Sequence, residues 1–370
     1  MTDLENQIRD ALHDPRWDQP AWPDPMQRVR RTAARQRARL ATATLAAVAL
    51  VVTPLALLPG LISHSSPGKT PGGPTPSQSV RKGSGAVPSW AKRLPGEVAY
   101  KCGDSICLMH PGGTARRTLN TASPEWDAAW SPDGRQLAFR GYYAPYHEVD
   151  SAIYVVNATG CHPATLVAAA NGVNPSWSPT GQQIAFARGG IDVINANGTG
   201  LRHLTSDGGD PAWSAANRIA FVRTSKGRSR GQIYTMNADG TGVHPLTHGG
   251  PGFAQPSWSA DGKSIAFVAF PNSSAPSYSA GVVDVANANG RGIHAVSPSA
   301  WWSSSPTWIG GRIVFLVIKG FRTSPSGELP RVSAYIVNSD GTGLRQLYPH
   351  LGDALQIAWG SAHLAQSRCS

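Results

Sequence analysis

The stretch Ala129-Trp130-Ser131-Pro132-Asp133-Gly134-Arg135-Gln136-Leu137-Ala138-Phe139 decides the fold, because most of it returns along the chain. Ser176-Trp177-Ser178-Pro179-Thr180-Gly181 leads into Ile184-Ala185-Phe186, and Ser257-Trp258-Ser259-Ala260-Asp261-Gly262 into Ile265-Ala266-Phe267. Trp213, Trp308 and Trp359 occupy the same position in weaker copies, the first two followed by Ile219-Ala220-Phe221 and Ile313-Val314-Phe315. The intervals between successive tryptophans are 47, 36, 45, 50 and 51 residues, the spacing of β-propeller blades rather than of separate domains.

Each unit reads as four short strands. After the Trp-bearing strand, a glycine such as Gly134 supplies the positive φ of a tight hairpin, and the short apolar strand follows. A variable stretch leads to a third strand, seen in Ile233-Tyr234-Thr235-Met236-Asn237. A second turn, Ala238-Asp239-Gly240-Thr241-Gly242, leads to a fourth strand ending at Leu246-Thr247. Such a unit cannot bury its faces alone and must stack against neighbours. Val98-Ala99-Tyr100 matches a second strand and Ile106-Cys107-Leu108-Met109 a third, so the first unit begins without its Trp strand. Leu355 to Trp359 is a Trp strand with nothing after it. Joining the two predicts an all-β, six-bladed propeller closed by the C-terminal strand, with no exposed sheet edge at the junction. Pro88-Ser89-Trp90 is the rival source of the first inner strand, although it lacks the glycine turn and carries Lys92 and Arg93 beside it.

On these motifs residues 97 to 360 resemble the TolB-type propeller repeat, a relative of the WD-repeat propellers. Blades two, four and five match it strongly, and blades one, three and six in part. The resemblance implies fold more than function. The family's best-known member is a periplasmic scaffold of the cell envelope with an extra N-terminal α/β domain, for which this sequence has no counterpart. Other members are lids on serine peptidases, but no room for a hydrolase domain is expected in this sequence.

Upstream, residues 40–62 run for 23 positions without a charge, about 34 Å as a helix and enough for a bilayer core. Arg28, Arg30, Arg31, Arg35, Arg37 and Arg39 precede it, which orients the N-terminus inward. The expected organisation is therefore a cytoplasmic Arg-rich tail (1–39), one transmembrane helix (40–62), a Pro/Gly/Ser-rich linker (63–95) and an extracytoplasmic propeller (96–370). Leu4, Ile8, Ala11 and Leu12 share one face of a short helix in the tail. A helix, an Arg stretch, one span and an outer domain also suit an anti-sigma factor, but no Cys precedes Cys102 and no zinc-ligand cluster is present.

The net charge of +11 divides unevenly. Residues 1–39 hold eight Arg and six acids, whereas the remainder carries 25 basic and 16 acidic residues. A basic surface outside the membrane points to the membrane itself, a cell-wall polymer or an envelope protein as partner, rather than to nucleic acid. Arg117, Arg202, His244, His294 and Arg345 share one register on the fourth strands, where charge discourages edge pairing and cannot converge on a metal. Four cysteines in such a compartment read as two disulfides: Cys102 with Cys107 across a hairpin-sized gap, and Cys161 with Cys369.

In an up-and-down blade the first-to-second and third-to-fourth connections share one face, by which the tether enters and which therefore looks toward the membrane. The opposite face carries the longest and least repetitive loops. Tyr142, Tyr143, Tyr146, Arg228, Arg230, Trp301, Trp302 and Arg322 lie there, aromatic rings interleaved with bases, and form the candidate ligand surface for a sugar, peptide or polyanion. The reading is an envelope binding or scaffold protein with no cofactor. The alternative is a channel-mouth enzyme of the metal-dependent lactonase or lyase type, for which Asp207, Asp210, His248 and Asp353 are the residues able to approach the axis.

A reporter fused after Ser370 is expected to be active only outside the cytoplasm, with the protein held in the membrane fraction. Release of a soluble form beginning near residue 63 would instead mark the apolar run as a cleaved signal.

Overall fold

The structure is a computed structural model that describes residues 87–102, 105–114, 117–119, 121, 124–142, 151–160, 164–168, 171–224, 231–250, 252–270, 281–319, 331–349, 351 and 357–360. The expected tail, span and most of the linker, residues 1–86, lie outside them, as do Cys161 and Cys369. No helix among the described residues is long and apolar enough to cross a membrane.

Six four-stranded antiparallel sheets form the blades. Blade one contains β1 (Glu97–Cys102), β2 (Ser105–Met109) and β3 (Arg117–Thr118). Blade two is β4 (Pro124–Trp130), β5 (Gln136–Tyr142), β6 (Ser151–Asn157) and β7 (Thr165–Ala168). Blade three is β8 (Val173–Trp177), β9 (Gln183–Ala187), β10 (Ile191–Asn195) and β11 (Arg202–Thr205). Blade four is β12 (Gly209–Trp213), β13 (Arg218–Arg223), β14 (Gln232–Asn237) and β15 (His244–Pro245). Blade five is β16 (Phe253–Trp258), β17 (Ser264–Ala269), β18 (Val282–Asn287) and β19 (His294–Ala295). Blade six is β20 (Ser303–Ile309), β21 (Arg312–Lys319), β22 (Arg331–Asn338) and β23 (Arg345–Tyr348). The last strand, β24 (Ile357–Gly360), pairs with β1 through Val98↔Trp359 and Ala99↔Ala358 and completes blade one. Trp90 instead lies on a short 3-10 helix, Ser89–Arg93, so the rival closure is excluded.

The apolar core consists of layers between blades, and the second strand shows how the sequence builds them. Alternate residues of a strand face opposite sides. Ile184 and Phe186 pack against Ile153 and Val155 of blade two, while Ala185 turns toward Trp213 and Phe221 of blade four. Leu137 and Phe139, Ile219 and Phe221, and Ile265 and Phe267 repeat the large side, with Ala138, Ala220 and Ala266 on the small side. Large residues of one blade thus fill the space that alanine leaves on its neighbour, and all of these second-strand side chains are fully buried.

The indoles lock the layers. Trp177 Nε1 donates to the carbonyl of Ala129 at 3.0 Å, Trp258 to Ala212 at 3.1 Å, Trp308 to Ser257 at 2.9 Å and Trp130 to Ala358 at 3.3 Å. In each case the acceptor is the residue just before the preceding blade's tryptophan. Trp213 departs from the pattern. Its blade has Ala215-Ala216-Asn217 in place of the Pro-Asp-Gly turn, Asn217 takes the left-handed conformation (φ 57°), and its Oδ1 accepts the indole N–H at 3.0 Å. The link to blade three passes to the Trp213 backbone N–H, which donates to Ser176 Oγ at 2.9 Å.

The seam between blades six and one is sealed by more than strand pairing. Ala91 and Leu94 are buried in the same cluster as Val98, Leu316, Tyr348 and Ile357, with Val87 and Trp90 packed against it. Trp359 Nε1 donates to Pro95 O at 2.8 Å, and Tyr348 Oη to Pro111 O at 2.9 Å. Residues 87–95, assigned to the linker from their composition, are therefore packed on the propeller. Cys102 and Cys107 form a disulfide across the β1–β2 hairpin, as expected.

Truncation after Tyr348 removes β24 and leaves blade one without its inner strand. The shortened protein is expected to lose its cooperative melting transition; a transition close to that of the intact chain would refute the closure. Leu94→Ala is expected to cost about 2–4 kcal/mol by denaturant titration, the range for truncating a buried leucine.

Candidate functional site

The inner strands surround an axial channel of about 580 Å³, whose wall includes residues from every blade. Three positions before each tryptophan a polar residue lines it: Asp127, Asn174, Asp210, Gln255 and Ser305. All five adopt positive φ, between 48° and 68°. The inner strands of blades two to six also shift register against their second strands at this point, as a β-bulge does. The left-handed conformation is costly for a residue other than glycine and needs compensation. Side chains from the neighbouring blades supply it. Asp127 Oδ2 accepts from Asn174 N–H at 3.4 Å, Asn174 Nδ2 donates to Asp210 Oδ1 at 2.8 Å, Asp210 Oδ2 accepts from Gln255 N–H at 3.2 Å, and Gln255 Oε1 from Ser305 N–H at 2.8 Å. The result is a belt in which the polar group of one blade holds the bulge of the next.

Two carboxylates stand in this belt, on either side of Asn174. Burial raises the pKa of Asp210 above its ordinary value and the charge of Asp127 adds to the shift, opposed by the hydrogen bond from Gln255. Asp127 pairs with Arg140 at 3.4 Å. Of the four residues expected near the axis, only Asp210 is found there. Asp207 is exposed and pairs with Arg223 at 2.9 Å, His248 is exposed, and Asp353 lies outside the described residues. Asp127 was not anticipated, because the signal in sequence is positional alone: a polar residue of varying type precedes each of these tryptophans by three, mostly followed by proline. Among the described residues no three His, Cys, Asp or Glu side chains gather as a metal cluster.

The bases at the rim do more than keep edges apart. Arg117 donates from Nε to Ala158 O of blade two at 3.0 Å and makes a two-pronged pair with buried Glu97 at 2.9 and 2.6 Å. His294 places Nδ1 2.8 Å from Gly292 O and Nε2 2.8 Å from Ser339 O of blade six. Ala158 and Ser339 are equivalent positions, each following the asparagine that ends a third strand. Arg345 reaches Trp90, its guanidinium carbon 5.8 Å from the ring centroid. Two carbonyl acceptors favour the imidazolium of His294: the bond to Gly292 raises its pKa most, Ser339, Asp284 and Asp340 add to it, and burial opposes them. Asp284 beneath it is pushed up to about 6 by burial, against the pull of His294.

Of the candidate ligand surface, Trp301 and Trp302 are described and both are half-buried. Trp301 packs on the layer between blades five and six, its ring 4.6 Å from that of Tyr335. Tyr142 ends β5, and only its backbone is described. Tyr143, Tyr146, Arg228, Arg230 and Arg322 lie outside the described residues.

A profile of the TolB beta propeller domain matches residues 103–363. No curated protein matches the chain at a significant level. Among solved structures, TolB from Acinetobacter baumannii superposes with a TM-score of 0.55 at 22% identity, over 72% of this chain and 66% of that one. Kuenenia stuttgartiensis hydrazine synthase gives a TM-score of 0.55 at 13% identity, over 77% of this chain and 51% of that one. The chain thus spans about two thirds of the length of one and half of the other, and the likeness is one of fold.

Gln255→Ala removes the Oε1 that accepts from Ser305 N–H and is expected to cost about 1 kcal/mol of stability, the usual value of a net hydrogen bond. The rim pair sets a pH dependence. Both folded-state pKa values are raised, so the folded protein holds more protons than the unfolded chain and loses stability as pH rises. The Asp284 contribution falls between its ordinary 3.8 and about 6, and that of His294 from 6.5 upward. Melting temperatures across this range are expected to fall with pH, Asp284→Asn flattening the lower part and His294→Gln the upper.

Proposed function

Because the chain belongs to the TolB β-propeller family, we propose that it is a membrane-anchored, extracytoplasmic binding or scaffold protein of the cell envelope. Its ligand surface is the loop face formed by the second-to-third and fourth-to-first connections. The observation that carries this reading is the belt of Asp127, Asn174, Asp210 and Gln255, whose polar side chains are engaged in holding neighbouring blades. Groups engaged in this way make a rigid ring, and a rigid ring that presents variable loops is a common design for recognition. The 23 uncharged residues 40–62, with six arginines before them, support the anchor and its orientation. The partner is a cell-wall polymer or an envelope protein, met by aromatic and basic residues of the loops.

On this surface Trp302 and Arg322 suit the test better than Trp301, whose ring supports the blade five–six layer. The full-length protein is incubated with purified cell-wall sacculi and, separately, with a cross-linked envelope fraction. Trp302→Ala with Arg322→Ala is expected to weaken retention while leaving the melting curve nearly unchanged, because truncating an aromatic or arginine anchor commonly costs about 2 kcal/mol of binding. Trp301→Ala is expected to lower the melting temperature. Retention of the double variant equal to that of the parent, on both materials, would exclude this face.

A further inference from the structure

Among the described residues the exposed large hydrophobic side chains are Leu201, Val243 and Ile293, at 45%, 38% and 44% exposure. They are not scattered. Each immediately precedes the fourth-strand residue that pairs with the third strand: Arg202↔Val193, His244↔Thr235 and His294↔Val285. They therefore hold one position on three consecutive blades, at the third-to-fourth turn. In blades two and six the same position holds Ala164 and Leu344, which are partly buried against the layers between blades. The exposed arc belongs to blades three, four and five alone.

The first described residues of the chain lie on the face that bears this arc. Gly112 and Gly113, in the third-to-fourth connection of blade one, lie so close to Lys92 and Val87 that a Cβ on either glycine would come within 2.8 Å of those side chains. Val87, the first described residue, thus lies beside a turn of the same kind. In the sequence, 24 residues separate Val87 from the uncharged run 40–62.

Positive charge stands at two of the three turns. Leu201 is followed by Arg202, and Ile293 stands between Arg291 two positions before it and His294 after it, whose imidazolium is favoured by its carbonyl partners. Blade four carries the one acid of these three turns, Asp239, held ionised by Thr241 Oγ1–H at 2.7 Å and Thr241 N–H at 2.9 Å, so the positive charge lies with blades three and five. An aliphatic side chain beside a base is the chemistry of the bilayer interface, where the apolar part enters the acyl boundary and the cation stays with the phosphates.

We propose that the third-to-fourth turns of blades three to five rest on an anionic bilayer, with Leu201, Val243 and Ile293 entering its headgroup region. The proposal rests on the membrane-anchored reading and adds to it a resting orientation, which leaves the loop face open to its partner. It is tested on the full-length protein in nanodiscs of phosphatidylcholine alone or with phosphatidylglycerol, by amide hydrogen exchange. Slowed exchange of the turns around Leu201, Val243 and Ile293 is expected in the anionic discs. The slowing should be lost at high salt, lost in the triple variant Leu201→Ser, Val243→Ser, Ile293→Ser, and absent from the Leu344 turn. Equal exchange in the two lipids would overturn the proposal. If the protein does not remain in discs, the anchored reading fails by itself. The same protein is then sedimented with phosphatidylglycerol vesicles, where binding that the triple variant loses upholds the surface and no binding ends it.

Discussion

The interaction on which the propeller depends is the hydrogen bond from a tryptophan indole to the backbone of the blade before it. Trp130, Trp177, Trp258 and Trp308 each donate to the residue preceding the neighbouring blade's tryptophan. One side chain thereby fixes the height and rotation of one blade on the next, next to the innermost strand where blades crowd most. Each bond contributes about 1 kcal/mol. The geometric consequence is larger, because the alternation of Phe139, Phe186, Phe221 and Phe267 with alanines on the opposite side works only if adjacent sheets are held in register.

A ring built from nearest-neighbour contacts is most vulnerable where its ends meet. There the indole pattern changes: Trp359 donates to Pro95 rather than to a blade-six strand. The 3-10 helix Ser89–Arg93 fills the seam with Ala91, and Leu94 just beyond it is buried in the same cluster. Arg345 lies against Trp90, and Tyr348 donates across to Pro111. The segment that joins the propeller to its upstream chain is thus part of the closure. Force or strain on that segment acts on the seam before it acts on any other pair of blades.

Much of this was legible in the sequence because the repeat writes the same physical requirement six times. The period of the tryptophans fixed the blades, and the mismatch between Val98-Ala99-Tyr100 and Leu355 to Trp359 located the closure. Trp90 was ambiguous because a lone Pro-Ser-Trp carries no turn to tell a strand from a 3-10 helix. The channel belt was harder to read. Asp127, Asn174, Asp210, Gln255 and Ser305 differ in type, and positive φ in residues other than glycine leaves no single signature. What unites them is a position relative to tryptophan and the backbone N–H groups they help hold, and the latter appears only when blades are side by side. The rim residues were read correctly as a register but incompletely as physics. The contact of Arg117 with Ala158, and of His294 with Ser339, exists only between blades.

These networks divide the molecule by what each part is free to do. At the axis, polar side chains brace bulges; at the rim, several bases clasp the following blade. Both leave little room to vary without loosening the ring. The connections vary in length: the second-to-third turn of blade three is the tight Arg188-Gly189-Gly190, whereas that of blade two extends from Tyr142 to Ser151. In blade three, Gly190 is held so close to Thr205 O that a Cβ would lie 1.9 Å from it, which rules out a larger residue without a backbone shift. The recognition proposed for this protein would fall to the loops that such constraints leave free to vary. The belt and the clasps matter to it by keeping those loops at constant separation around the ring.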